Sequence, residues 1–176
     1  MRVRTKTKGA FSVTVSREDF GFSAGHVMLR GDDVEALHGH SYRVALTLRG
    51  DLTDDAVVVD FRVIKRALKT VCESLNHRVL VPSRNPLLEI AKAGARLRVS
   101  SRGKCMEIDA ADALCLPLSN ITAELLALHI FEGIAKQLDE VGCHAVNEMT
   151  VEVSESPGQS ASFVGVCSGK GRRISG

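Results

Sequence analysis

The chain has 176 residues, of which 44% are hydrophobic and 25% are charged, so it is long enough to bury the core of one globular domain. A formal net charge of +2 provides no overall field that would favour nucleic acid or a membrane surface as a partner. No apolar stretch approaches the roughly 20 residues of a transmembrane helix, and no signal peptide is expected. The five cysteines form no Cys-x-x-Cys pair, which favours a reducing compartment, the cytoplasm, over a disulfide framework.

Basic residues cluster near both ends of the chain, in residues 1–8 and 170–173. Such segments are typical of solvated tails. The sequence has no internal repeat and no linker long enough to divide it. We therefore expect a single domain over residues 1–176, with flexible tails at residues 1–9 and 169–176.

Alternation of apolar and polar residues predicts two strands in the first part of the chain. Residues 10–16 alternate in this way, and residues 20–26 extend the same strand. In residues 42–49, every second position from Tyr42 to Leu48 is a large apolar residue, which is typical of a strand with one buried face.

A first helix is predicted to begin after Asp60, because aspartate is a good N-cap. The apolar residues that follow recur at helical spacing and would form one buried stripe: Phe61, Ile64, Leu68, Val71 and Leu75. The helix should end at residues 76–78, since Pro82 and Pro86 prevent it from resuming.

The second half of the chain predicts a hairpin, a helix and two more strands. Residues 96–99 and 104–108 flank a Ser-Ser-Arg-Gly turn, and a second helix should span residues 123–140. Residues 149–154 alternate as a strand, and the Ser-Pro-Gly turn at 156–158 leads into a strand over 161–167. This order predicts an α+β fold in which an antiparallel sheet carries two helices packed on one face.

Three of the six histidines lie within fifteen residues: His26, His38 and His40. The His-Gly-His spacing places two imidazoles on one face of a strand, and a third at the end of the preceding strand would complete three ligands. Three protein ligands with one open position are typical of catalytic zinc, although nickel, copper or iron remain open. His38 and His40 share their parity with Tyr42, which favours a buried metal site over solvated histidines beside a core His26.

Six stretches, in this order and at compatible spacing, make the chain resemble the 6-pyruvoyl-tetrahydropterin synthase family. They are residues 22–26, 37–42, 59–61 with Lys65, 75–78 with Leu80, 121–124 with Ala127, and 152–157. The resemblance implies a tunnelling fold, in which subunits join edge to edge into a β-barrel. It also implies a homohexamer built as a dimer of trimers, with active sites at subunit interfaces and a pterin triphosphate as the small-molecule substrate.

The resemblance further assigns roles to individual residues. It implies zinc on His26, His38 and His40. It implies that Glu155 anchors the pterin by accepting two parallel hydrogen bonds, a task that suits a carboxylate. Thr122 and Asn76 are expected to contribute to substrate binding, and His77 is a catalytic candidate. Asn76 stands where the family's synthases usually have aspartate, so it cannot serve His77 as an ionic partner.

The most informative departure from the family lies just before the His-Gly-His motif. The eukaryotic synthases and the bacterial carboxy-tetrahydropterin branch have a cysteine there, whereas this chain has Glu35 and no cysteine. The Glu-x-Leu-His-Gly-His pattern resembles a subgroup associated with cleavage of 7,8-dihydroneopterin triphosphate to 6-hydroxymethyl-dihydropterin, a folate precursor. The long segment 83–118, with its predicted hairpin, also resembles that subgroup.

These expectations predict a zinc-dependent pterin lyase. Glu35 would accept a proton from a side-chain hydroxyl of the substrate, and His77 would return one from the other side. Two other functions remain open: 6-pyruvoyl- or 6-carboxy-tetrahydropterin synthase chemistry, and a zinc-containing pterin-binding protein without lyase activity. For the residues themselves, Glu35 could be a solvated loop acid and His77 a helix-end histidine that binds carbonyls.

Overall fold

The computed structural model describes residues 11–167, without the side chains of residues 17–19. The tails expected at 1–9 and 169–176 therefore lie outside the described residues. In chain order the elements are β1 (Phe11–His26), β2 (Leu29–Arg30), β3 (Asp33–Val34), β4 (His38–Gly50), α1 (Phe61–Leu75), β5 (Arg78–Pro82), β6 (Glu89–Ala93), β7 (Arg96–Ser101), β8 (Lys104–Asp109), β9 (Ala113–Leu116), α2 (Ala123–Glu140), β10 (Val146–Ser156) and β11 (Gln159–Val166).

Six strands form the main sheet, in the order β11-β10-β4-β1-β5-β9. The pairs from β11 to β1 are antiparallel, as predicted, but β5 runs parallel to β1 and β9 runs parallel to β5. The predicted antiparallel sheet is therefore confirmed from β11 to β1 and wrong for β5 and β9, which make the sheet mixed. The short apolar run in 78–82 is typical of a buried parallel strand, and Pro82 is tolerated because it is the last residue of β5.

Both helices pack on one face of this sheet and on each other. Asp60 is the N-cap of α1, where its Oδ1 accepts a hydrogen bond from the Arg62 N–H at 2.7 Å. Thr122 caps α2, whose bounds agree with the prediction. The buried stripes of the two helices and the facing side of the sheet form one hydrophobic core. Within residues 11–167, neither helix is long and apolar enough to cross a membrane.

A separate three-stranded sheet, β6-β7-β8, contains the predicted hairpin and covers the small β2–β3 hairpin. Their shared apolar contacts form a second hydrophobic cluster. Two polar contacts join the same surfaces: Arg102 pairs with Asp32 at 3.0 Å, and the Lys104 ammonium donates to the Val34 carbonyl. The three-stranded sheet thus supports the loop that precedes His38.

Candidate functional site

The antiparallel register of β1 and β4 brings the three histidines together. His26 lies directly opposite His38, and Ala24 lies opposite His40. His26 is buried, His40 is half-buried and His38 is exposed, so the cluster opens toward solvent at the end of the two strands. The predicted shared face is confirmed, because Tyr42 continues the same alternation into the core.

Gly39 allows the two strands to approach closely at this point. A Cβ atom on Gly39 would lie 2.5 Å from the Ala24 carbonyl oxygen, far inside van der Waals contact. The opposing Gly25 is less constrained, since its Cβ would meet the His38 carbonyl oxygen at 3.5 Å. The glycine of the His-Gly-His motif is therefore required by packing.

The ring nitrogens converge on one point, and all three available ligand atoms lie within 4.8 Å of one another. The His26 Nδ1 lies 3.0 Å from the Ile121 carbonyl oxygen, and the His38 Nδ1 lies 2.8 Å from the Ala36 carbonyl oxygen. A carbonyl oxygen can only accept, so in both rings Nδ1 carries the proton and donates it. Each neutral ring is then left with a lone pair on Nε2.

Those two Nε2 atoms face each other at 3.0 Å. Two lone pairs at this distance repel unless a proton or a metal ion is shared between them, so the donor set fits a bound metal ion. Burial is the largest influence on the pKa of His26 and lowers it, and the nearby His38 and His40 lower it further. The Ile121 carbonyl and the Glu155 carboxylate act in the opposite direction and raise it. The net lowering favours the neutral imidazole, which is the form that binds metal.

Glu155 is placed by an irregularity that alternation does not reveal. In the pairing of β10 with β11, Ser154 lies opposite Ser160 and Ser156 opposite Gln159, so Glu155 is the extra residue of a β-bulge. Bulges re-aim side chains beside functional sites. Glu155 is half-buried and lines a pocket of about 560 Å³. The register of β10 with β4 continues past Ser154–Arg43 to Glu155 beside Tyr42, and the Glu155 carboxylate raises the pKa of His26.

Asn76 and His77 hold the end of α1 against β1. The Asn76 Oδ1 accepts a hydrogen bond from the Ser23 N–H at 2.8 Å, and the His77 N–H donates to the Ser23 carbonyl at 2.7 Å. His77 has a left-handed φ of 56°. Its exposed side chain lines an open depression together with His40 and Ser41. The Asn76 side chain is thus used to hold α1 against β1. The His77 side chain instead lies in the same open depression as His40.

Thr122 has a structural contact as well, because its Oγ1 accepts the Leu125 N–H at 3.4 Å as the cap of α2. The residue just before it, Ile121, supplies the carbonyl that orients His26. The residue just before the cap of α2 therefore orients one histidine of the candidate metal site through its backbone.

Glu35 lies on the segment between β3 and β4, three residues before His38. Its backbone N–H donates to the Met28 carbonyl at 2.9 Å, and its Oε1 pairs with the Arg30 Nε at 2.9 Å. The Glu35 side chain is 24% exposed, whereas that of Arg30 is 80% exposed. In this structure the carboxylate faces Arg30, and the metal cluster found among the described residues consists of histidines alone.

Sequence reasoning missed the groups that orient the predicted residues. Arg30 gave no signal, and the Ala36 and Ile121 carbonyls belong to backbone that no side-chain pattern reports. Tyr42 did share the parity of the histidines, which could have placed it in the site. Burial is the main cause that raises the pKa of Tyr42, and the Glu155 carboxylate adds to it.

Comparisons with known proteins agree with the overall fold. The model of the family described as 6-pyruvoyl tetrahydropterin synthase matches residues 14–165. A candidate 6-carboxy-5,6,7,8-tetrahydropterin synthase of Methanocaldococcus jannaschii is 30% identical over 143 residues, which cover 81% of this chain and 88% of the relative. The crystal structure of 6-pyruvoyl tetrahydropterin synthase from Plasmodium vivax is 27% identical, with a TM-score of 0.84 over 90% of this chain and 99% of the other.

A similar match is found with the Plasmodium falciparum 6-pyruvoyl tetrahydropterin synthase, which is 25% identical with a TM-score of 0.84 over 89% of this chain and 98% of the other. Two matching Plasmodium vivax structures are of variants in which a glutamate, described as a catalytic residue, is replaced by alanine or by cysteine.

Proposed function

The chain belongs to the 6-pyruvoyl tetrahydropterin synthase family, and from this premise we propose that it is a zinc-dependent pterin lyase. The proposed substrate is 7,8-dihydroneopterin triphosphate or a close relative, and the proposed product is 6-hydroxymethyl-dihydropterin. The observation that carries this choice is Glu35, which occupies the segment before the histidine motif where no cysteine is present. The Plasmodium vivax protein, which also has a catalytic glutamate, supports this assignment.

The metal would be held by His26, His38 and His40, of which the first two have their proton on Nδ1 and Nε2 free. When bound, zinc with three protein ligands supplies a Lewis acid and one open coordination position. Glu155 would hold the pterin ring, because its carboxylate can accept two parallel N–H donors. Glu155 lies on β10, next to the strand β4 that carries His38 and His40, so the metal and the carboxylate would hold the substrate between them.

The cleavage then needs one proton to be removed and one to be returned. Glu35 accepts the proton of the side-chain hydroxyl at the carbon to be released, and the electron pair of that O–H bond forms the aldehyde. The carbon–carbon bond breaks, and its electrons pass to the carbon attached to the pterin. His77 delivers a proton to that carbon, so atoms and electrons balance without an oxidant.

A carboxylate is a base better suited to removing this hydroxyl proton than a C–H proton, because the hydroxyl is the more acidic group. Glu35 must first leave Arg30, which costs little since the pair is largely exposed on the arginine side.

A second candidate is 6-carboxy-tetrahydropterin synthase chemistry, which the name of the Methanocaldococcus jannaschii relative favours. Incubation with dihydroneopterin triphosphate, followed by chromatography of the oxidised pterins, separates the candidates. Hydroxymethyl-pterin supports cleavage, carboxy- or pyruvoyl-type products support synthase chemistry, and unchanged substrate supports a binding protein. The last two results would each reject the proposed reaction.

Glu35→Gln tests the residue on which the choice depends. The amide keeps the shape of the side chain but cannot accept the proton, so turnover should fall by roughly 10²–10⁴ while zinc stays bound. Asp33→Asn is the matched control, because Asp33 is an exposed acid two residues before Glu35. Wild-type turnover in Glu35→Gln would show that this carboxylate is not the base.

We also propose that the chain acts as a homohexamer in the cytoplasm. The main sheet is open in the described chain, with β11 at one edge, and Val164 and Val166 of that strand are 56% and 81% exposed. An exposed apolar edge strand favours pairing with a second subunit. All five cysteines are free, which suits a reducing compartment.

A further inference from the structure

Tyr42 is a buried polar residue at the site for which the proposed reaction has no use. It is 2% exposed, its ring stacks on Phe22 with centroids 4.7 Å apart, and its centroid lies 5.4 Å from that of His40. Its hydroxyl has no hydrogen-bond partner anywhere in residues 11–167. Buried hydroxyls almost always have a partner, so a donor left without an acceptor beside a binding site needs an explanation.

Glu155 is the complementary group on the neighbouring strand. The register of β10 and β4 runs to the pair Ser154–Arg43, so the next position on each strand is Glu155 and Tyr42. The Glu155 carboxylate makes no hydrogen bond or ion pair to any residue that the structure describes, although it is half-buried. A donor without an acceptor and an acceptor without a donor thus lie side by side.

The bulge explains why the two groups can be close without being bonded. As the extra residue of the bulge, Glu155 is free of the ladder with β11, and a small rotation can redirect its side chain. Tyr42 cannot move in the same way, because its ring is packed between Phe22 and the histidines. The rigid phenol is therefore able to fix the plane of the movable carboxylate.

We infer that Tyr42 is a positioning residue for Glu155: when a pterin is bound, the Tyr42 hydroxyl donates a hydrogen bond to the Glu155 carboxylate. The carboxylate has about four acceptor sites on its two oxygens, so it can bind two pterin N–H groups and the phenol together. The inference deepens the proposed function, because it depends on Glu155 being the pterin anchor. A carboxylate held in one plane presents both oxygens to the ligand without a further ordering cost.

The test measures binding of neopterin, a fluorescent oxidised pterin, to the zinc-loaded protein. Tyr42→Phe removes only the hydroxyl and should weaken binding about ten-fold, the effect of one hydrogen bond to a charged group. In the Glu155→Gln background the same change should cost less than about two-fold, because the two side chains act through one interaction. With the substrate, KM should rise while kcat stays within about two-fold of wild type.

Ser101→Ala is the matched control, since Ser101 also has a buried hydroxyl without a partner among the described residues and lies in β7, in the separate sheet. Neither this variant nor Tyr42→Phe should lower the melting temperature, because each removes an unpaired buried group. Wild-type affinity in Tyr42→Phe, or losses that add up in the double variant, would overturn the inference. Wild-type protein that does not bind neopterin, or Glu155→Gln that binds normally, would instead reject the pterin anchor and with it the role of Tyr42.

Discussion

The histidine cluster makes a quantitative prediction about metal-linked stability. His38 is exposed and its Nδ1 contacts only the carbonyl of Ala36, so His38→Ala removes one ligand without opening a cavity in the core. Zinc at 100 times its dissociation constant should stabilise the wild-type chain by about 2.7 kcal/mol. For a domain of this size, that corresponds to a rise in melting temperature of roughly 5–10 °C.

His38→Ala should show almost none of this rise, and its melting temperature without metal should match that of wild type. Removing the ring also removes the opposed Nε2 lone pairs, which should offset the loss of the exposed hydrogen bond to the Ala36 carbonyl. The control is His144→Ala, because His144 is an exposed histidine outside the cluster. The assay is thermal unfolding with and without zinc, together with elemental analysis. One zinc ion per chain in His38→Ala, with the full rise in melting temperature, would refute the three-histidine site.

Three further predictions follow from particular contacts. Gly39→Ala should destabilise the chain by about 1–3 kcal/mol and lower its zinc affinity, because the new methyl group meets the Ala24 carbonyl. Denaturant and zinc titrations measure the two effects. Gly25→Ala is the control and should change stability and zinc affinity less. Burial lowers the pKa of His129 below 6.5, so its contribution to stability is present above that pH and is lost as pH falls through the folded-state pKa. His129→Gln should therefore lose less unfolding free energy on acidification of the zinc-free protein, and an equal loss would contradict this. Sedimentation should show a hexamer, and a monomer with full activity at micromolar concentration would contradict the interfacial site.

Elements with a strong period could be predicted from the sequence. The second helix was located over residues 123–140, and Asp60 was identified as the cap of the first, because apolar spacing and capping residues agree at both places. Strands β5 and β9 were missed for the opposite reason. Each is a short apolar run with no alternation, and a proline ends or follows it, so nothing local distinguishes it from a loop. Their place in the sheet depends on partners distant in sequence, since β5 pairs with β1 and β9 pairs with β5.

The sequence could predict those site residues whose side-chain direction follows from regular alternation along a strand. His38, His40 and Tyr42 occupy every second position of β4. They lie on one face of the strand in the structure because β4 has no bulge in that stretch. The orientation of Glu155 depends on a bulge, and the tautomer of His26 depends on the carbonyl of Ile121, 95 residues away. Neither feature has a local sequence signal, because both arise from the pairing of distant segments.

The two hydrophobic clusters support different parts of the proposed site, namely the proposed binding groups and the proposed base. The histidines and Glu155 are attached to β1, β4 and β10, whose buried faces belong to the main core. Glu35 instead directly follows the β2–β3 hairpin, which packs in the second cluster and is tied to the β7–β8 hairpin through Arg102 and Lys104. The proposed metal and pterin sites therefore depend on a different part of the fold from the proposed base. The proposed base, Glu35, follows this separate support, so a change in the segment should alter the proposed reaction without disturbing the proposed metal and pterin sites.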